Sequence, residues 1–290
     1  METLDAATWQ HRAAAHAVRV DRWLTPHLAR RRAGERHPVE DFLFTYYSYR
    51  PAALRHWHPG FGVALADAPS YLSHKGYAAP PERGDAATVP VAYVVAHRGL
   101  LRGLRNLLTA TAARTARLGC FGMHEWAMVY GLDQDRVRHS DWPLRLGRDG
   151  TDAVVTEHTI ACSHFDAFRF FTDDARPLNR LRPSRDDRAA FEQPGCLHAG
   201  MDLYKHSYRI SPMVASELVA DCFELARDIR VLDMRASPYD LRALGYEPVR
   251  VETSEGKQEY VAAQRAFSER SRPLRARLIE ECDRLLSEAA

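Results

Sequence analysis

The sequence predicts a mainly α-helical protein, a single helical domain (1–290) carrying a small β-hairpin element. Three observations lead there. Helical patterns run through residues 4–33, 91–118, 214–234 and 255 onward. A single β-branched stretch, 154–160, stands beside a turn signal at 147–150. The composition, 46% hydrophobic and 27% charged over 290 residues, is that of a globular chain long enough for a substantial core. Residues 1–35 and 255–290 are expected as peripheral helical parts of that domain.

Each element has its local reason. Residues 4–33 mix apolar and basic positions and close on Arg30–Arg32 and Gly34, a cationic last turn followed by a stop. Residues 42–49 gather Phe42, Phe44, Tyr46, Tyr47 and Tyr49 behind Glu40 and Asp41. Their hydroxyls need partners when buried, which places Tyr46 and Tyr47 as candidates for a polar pocket wall. His56 and His58 precede Pro59-Gly60, a loop spacing from which two imidazoles converge on a metal. Residues 60–90, rich in Gly, Pro and Ala, read as a long loop. The 91–118 helix carries Arg98, Arg102, Arg105, Arg114 and Arg117 with no acidic residue. Arg98, Arg102 and Arg105 are therefore the candidate phosphate or anion contacts, with pairing to acidic neighbours as the alternative.

Gly147-Arg148-Asp149-Gly150 and Val154–Ile160 suggest the hairpin. Ser211-Pro212 is expected to start a helix through Val214, Leu218, Cys222, Leu225, Ile229 and Leu232. Ser237-Pro238 should open a short helix ending at Gly245, Pro248–Thr253 a strand, and Pro273 should interrupt the last helix.

The charge balance, 40 basic against 38 acidic residues and a net +2, does not suit a protein that coats nucleic acid. No apolar run reaches the ~20 residues of a membrane helix. Five scattered cysteines with no C-x-x-C pair and no signal-peptide core suggest reduced thiols and a cytoplasmic location.

The chemistry-bearing stretch is Pro194-Gly195-Cys196-Leu197-His198 through His206. His198, Asp202 and His206 recur every four residues and share one helix face, in a segment otherwise carrying Met201, Leu203 and Tyr204. Buried imidazoles and carboxylates need one another, a metal or a substrate. His124-Glu125-Trp126 follows two glycines and lies in an apolar helix start, a setting that raises a carboxyl pKa and suits an acid catalyst. His164-x-Asp166 lies in an aromatic run, and His158 precedes it. The candidate metal ligands are thus His124, His164, His198, Asp202 and His206, and the candidate catalytic carboxylates Glu125, Asp166 and Asp202. Tyr46, Tyr47, Trp126, Tyr204 and Lys205 are the candidate substrate-pocket residues.

The phrases His37-Pro38-Val39-Glu40-Asp41-Phe42-Leu43-Phe44, His164-Phe165-Asp166-Ala167-Phe168-Arg169-Phe170-Phe171, Cys196-Leu197-His198 with Met201–Lys205, and Asp233-Met234-Arg235-Ala236-Ser237-Pro238-Tyr239-Asp240 resemble a family of actinobacterial proteins labelled 3-methyladenine DNA glycosylases, over most of the chain. The resemblance implies a base-flipping hydrolase with an aromatic pocket and one catalytic carboxylate. The sequence carries no helix-hairpin-helix with a following catalytic Asp, so no residue role transfers by motif. Read from the residues, the expectation is a metal-dependent enzyme holding a divalent ion, with non-haem iron the candidate. Its partner would be a small-molecule substrate rather than DNA. Removal of alkylated purines and non-catalytic binding are the alternatives.

Overall fold

The computed structural model describes residues 1–81 and 84–288; positions 82–83 of the expected loop and the last two residues lie outside them. The fold is mainly α. In chain order the elements are β1 (Glu2–Leu4), α1 (Ala6–Ala33), α2 (Phe42–Tyr46), α3 (Pro51–Arg55), β2 (Val63–Leu65), β3 (Ala87–Thr88), α4 (Val91–Ala96), α5 (Arg98–Ala112), α6 (Met123–Ala127), α7 (Gly147–Glu157), α8 (Phe165–Phe168), α9 (Arg188–Phe191), α10 (Leu197–Arg209), α11 (Ser216–Arg235) and α12 (Ser254–Glu288), with short 3₁₀ turns between some of them. The chain divides into two compact units. Unit 1 comprises Met1–Leu108, Leu203–Glu224 and Leu274–Ala290, and unit 2 comprises Thr109–Asp202 and Leu225–Pro273.

In unit 1, α1 starts where the Asp5 carboxylate accepts the Thr8 amide at 2.7 Å. It ends at Gly34, whose φ of +73° lets its amide close onto the Arg30 and Arg31 carbonyls. His16, Val20, Leu24 and His27 form its buried stripe. His27 Nδ1 lies 2.9 Å from Asp41, which also takes the Arg30 guanidinium at 2.5 Å. The sheet is small: β1 pairs parallel with β2, and β2 antiparallel with β3. Leu4, Trp57, Leu65, Ala68, Tyr71 and Ala87 form the core beneath it. A small β element is therefore present, but the expected hairpin at 154–160 is not where it lies. Those residues belong to α7 and its exit, because Thr151, Val154 and Val155 share one buried helical face.

Other boundaries also shift. Helix α11 begins at Ser216, after a turn that contains Ser211-Pro212. The stretch after Ser237 forms only a 3₁₀ turn, Arg242–Leu244, closed by Gly245, and 248–253 holds no strand. Helix α12 passes through Pro273 without a break, since Tyr260, Gln264, Ser271, Leu278, Cys282 and Leu285 are all buried along it. That burial outweighs one missing backbone hydrogen bond.

Within unit 1 the rings of His56 and His58 lie 4.8 Å apart, and those of His56 and His74 4.0 Å apart. His58 Nδ1 is 3.0 Å from the Tyr77 hydroxyl. Among the described residues these imidazoles do not bring their nitrogens together as a metal group. Their setting is instead a source of acid sensitivity. Burial, reinforced by the neighbouring imidazoles His56, His74 and His16, pushes His58 down to about 3, and burial pushes His56 down to about 4. A histidine depressed in the folded state stabilises the fold above its unfolded pKa and loses that contribution as pH falls toward the folded value. Thermal stability should therefore fall between pH 6.5 and 4, each histidine adding a slope of up to about 1.4 kcal/mol per pH unit. His58→Asn should flatten the acid limb of a melting-temperature profile; an unchanged slope would remove His58 as its source.

Candidate metal centre

Unit 2 brings together charged groups that the sequence scatters over more than a hundred positions. Gly122, at φ +70°, opens α6 and directs His124 and Glu125 inward, both buried. Helix α10 contributes His198 and Asp202, and α11 contributes Arg230 and Asp233 one turn apart. His124 Nε2 lies 2.8 Å from Asp233 Oδ1, and the rings of His124 and His198 meet edge to face at 4.5 Å. Arg230 donates to Glu125 Oε1 and to Asp233 Oδ2, each at 2.8 Å. His198 is 7% exposed, His124 5% and Asp233 0%. One ligand atom from each of these three lies within 4.8 Å of the others, close enough to share one metal ion.

The electrostatics fit a cation. Burial alone would drive Asp233 upward, yet His124, His198 and Arg230 beside it hold its carboxyl far below the usual range. Burial opposes a charge on His124, but Asp233 and Glu125 prevail and raise it. Burial, together with His124, depresses His198 to about 3, which leaves it neutral with a lone pair to give. Arg230 offsets one of the two carboxylates, so the second is left for a proton on His124 or for a metal ion. The 2.8 Å between His124 and Asp233 is also close to the ~3 Å separating two neighbouring ligands of one ion at bond lengths near 2.1 Å.

Next to this group lies a second constellation. His164 is 0% exposed, and neither of its ring nitrogens has a hydrogen-bond partner among the described residues. Its Nε2 stands 3.4 Å from Asp202 and 3.6 Å from Glu192. Arg188 clamps both carboxylates, Glu192 at 2.5 Å and Asp202 at 2.8 Å, and their charges outweigh burial to raise its pKa. The His164 ring lies 5.3 Å from that of His198.

A cavity of about 200 Å³ opens beside the first group and is lined by His124, His198, Met123, Ile160, Leu197 and Cys196 among others. Gly195, between the lining residues Gln193 and Cys196, leaves no room for a larger side chain. A Cβ there would meet the Arg117 carbonyl oxygen at 2.6 Å, a backbone atom that cannot swing away. Gly195→Ala should cost roughly 1–3 kcal/mol in a chemical denaturation series. A neutral result would mean that the two backbones do not approach.

Of the expected ligands, His124 and His198 join the group. Asp202 turns to Arg188 and His164, and Asp233 takes the carboxylate place instead. His206 is buried on α10 but falls in unit 1, two turns along from His198. His158 gives Nδ1 to the Val154 carbonyl at 2.7 Å. Of the expected catalytic carboxylates, Glu125 is bound to Arg230, while Asp166 is half-buried and 3.3 Å from Arg169. Trp126 is packed at 0% exposure, its indole N–H donating to the Ala236 carbonyl. Tyr46, Tyr47, Tyr204 and Lys205 belong to unit 1. There Tyr47 packs edge to face against Tyr46 at 5.1 Å and Tyr204 at 5.7 Å. Arg98, Arg102 and Arg105 also lie in unit 1, on α5, and Arg105 is paired with Asp283 at 2.5 Å. The residues that sequence reading passed over are Asp233, Arg230, Arg188 and Glu192. A signal existed for two of them: Arg230 and Asp233 continue the apolar stripe of Ala226 and Ile229, where charge is unexpected.

No family model, no curated protein and no solved structure matches the chain. No helix among the described residues is long and apolar enough to cross a membrane.

Proposed function

We propose that the protein is a metal-dependent enzyme acting on a small molecule, with His124, His198 and Asp233 holding one divalent first-row ion. The observation that carries this reading is the buried two-histidine, one-carboxylate group at the wall of a cavity. Two imidazoles and one carboxylate leave coordination positions free, the donor set of non-haem iron(II) oxygenases, and iron is the ion we assign. When bound, the ion would supply Lewis-acid or redox chemistry at the cavity wall. The chain's own residues do the rest. Arg230 fixes the Asp233 carboxylate by its far oxygen, leaving the near one toward His124. Glu125 shares that guanidinium, so it orients Arg230 and is the carboxylate nearest to a proton-transfer role. The wall, where Met123, Ile160, Ala161, Leu181 and Leu197 stand beside thiols and a few polar groups, suits a compact, mostly apolar substrate.

The test is metal content. Protein purified without added metal, then equilibrated with ferrous iron under anaerobic conditions, should hold one ion per chain, and His124→Ala should hold none. Wild type that acquires no first-row ion would end the reading. Excision of an alkylated purine is the second reading, carried by the sequence resemblance alone. No Phe, Tyr or Trp stands among the described residues that line the cavity, where the rings are the imidazoles of His124 and His198. Salt-dependent DNA binding that weakens with Arg102→Glu would favour it.

A further inference from the structure

Three of the five free cysteines, Cys120, Cys162 and Cys196, line the same cavity as His124 and His198, although they arrive on three separate segments. Each stands two or four residues before a buried histidine: Cys120 before His124, Cys162 before His164, Cys196 before His198. A buried side-chain amide braces each segment. Gln264 Nε2 lies 3.4 Å from the Cys120 sulfur and donates to the Gly195 carbonyl at 2.7 Å. Asn179 accepts the Cys162 amide at 2.7 Å and donates back to its carbonyl at 3.0 Å. Gln193 accepts the amides of Arg117 and Gly195, at 2.8 and 2.7 Å. These clamps satisfy backbone groups buried around one space and fix the loops that carry the cysteines.

A single ion does not account for these thiols. Bonds near 2.3 Å would hold any two sulfurs on one ion within about 4.6 Å of each other. Among the described residues, the group whose ligand atoms converge within 4.8 Å is His124, His198 and Asp233, and it includes no cysteine. The three cysteines, carried on three segments, instead border a volume of about 200 Å³. A cofactor that takes thiolates at separate corners is polynuclear, and the biological group of that kind is an iron–sulfur cluster. We propose that Cys120, Cys162 and Cys196 bind an iron–sulfur cluster in this cavity, with the imidazole wall facing its remaining iron. Each thiol releases its proton to solvent as its sulfur bonds to iron. Histidine in place of a fourth cysteine is compatible with such clusters. The cluster shares this cavity and its imidazole wall with the mononuclear ion proposed above and differs from it in chemistry: its protein donors are thiols and its bridging ligand is sulfide.

The test is anaerobic reconstitution of the full chain with ferric and ferrous iron and sulfide, the ferric ions supplying the oxidised iron of the cluster, followed by assays of iron, acid-labile sulfide and visible absorption. Wild type should retain about two to four sulfides per chain, with charge-transfer absorption that reductant bleaches. Cys162→Ser, and the triple Ser variant at 120, 162 and 196, should lose the sulfide. Cys222→Ser, a buried thiol of unit 1, should keep it. His124→Ala should keep labile sulfide while losing the sulfide-free ion, which separates the two readings. Iron without labile sulfide in wild type, or sulfide that survives the triple substitution, overturns the cluster. Circular dichroism on each single Ser variant identifies any loss caused by unfolding, and the wild-type measurement stands by itself.

Discussion

His198→Ala should purify folded and empty of metal, whereas His206→Ala should keep its metal and melt earlier. The two histidines lie on one helix, two turns apart, and both are nearly inaccessible. His198 is one of three residues whose ligand atoms converge, so its loss removes a donor outright. Affinity for ferrous iron should drop by more than the roughly 10–100-fold that changes behind the ligands usually cost. His198 faces a cavity, so its truncation enlarges existing space and leaves packing largely intact. His206 is 2% exposed in unit 1, and truncation there opens a new void at a cost of about 1–3 kcal/mol. Elemental analysis and melting curves on both variants read out the difference. Equal metal content in wild type and His198→Ala would show that the imidazole packs and does not ligate.

The helical architecture was legible because long helices bury periodic stripes. Residues 4–33 showed both their stop signals, the terminal arginines and Gly34, and α1 ends at that cap. The misreading at 154–160 has a definite source. Val154, Val155 and Thr156 have strand propensity, and Gly147–Gly150 resembles a turn, but tertiary burial of Thr151, Val154 and Val155 on one face decides for helix. At Ser211-Pro212 the cap signature was intact, yet the helix waits until Ser216, whose hydroxyl accepts the His58 amide from a distant loop. No local pattern reveals such a contact.

The site divides the same way. His124 and His198 stood out as polar residues in apolar stretches, and that contrast is visible in one dimension. The pairing of His198 with Asp202 followed from helix spacing, but spacing only says which side chains share a face. Which of several carboxylates meets a given imidazole depends on how α6, α10 and α11 approach within unit 2. Asp233 also carries a local disguise, because α11 holds four other acidic residues, none of them buried, which make acidity there look ordinary. Arg188, in a polar stretch that reads as exposed loop, is turned inward only by the two carboxylates it clamps.

Arg230→Met should be the most destabilising single substitution in unit 2, by about 3–5 kcal/mol at neutral pH. Arg230 is 2% exposed and serves two buried carboxylates at once. Methionine fills most of the volume, so the expected loss is electrostatic: Glu125 and Asp233 would face each other with only His124 to offset them. In a chain of this size the melting temperature should fall by roughly 10 °C. The deficit has a sign in pH. Without the guanidinium the carboxyls rise in the folded state, and a raised carboxyl binds its proton more tightly folded than unfolded. The gap between variant and wild type should therefore narrow as pH drops through the carboxylate range. Glu125→Gln in the same chain removes one of the two charges, so the double variant should recover a large part of the loss, a coupling that simple additivity forbids. Saturating ferrous iron should also narrow the gap, because a cation held by His124, His198 and Asp233 takes over part of the role of Arg230. A loss below about 1 kcal/mol that Glu125→Gln does not change would mean that the two carboxylates are not buried against one guanidinium.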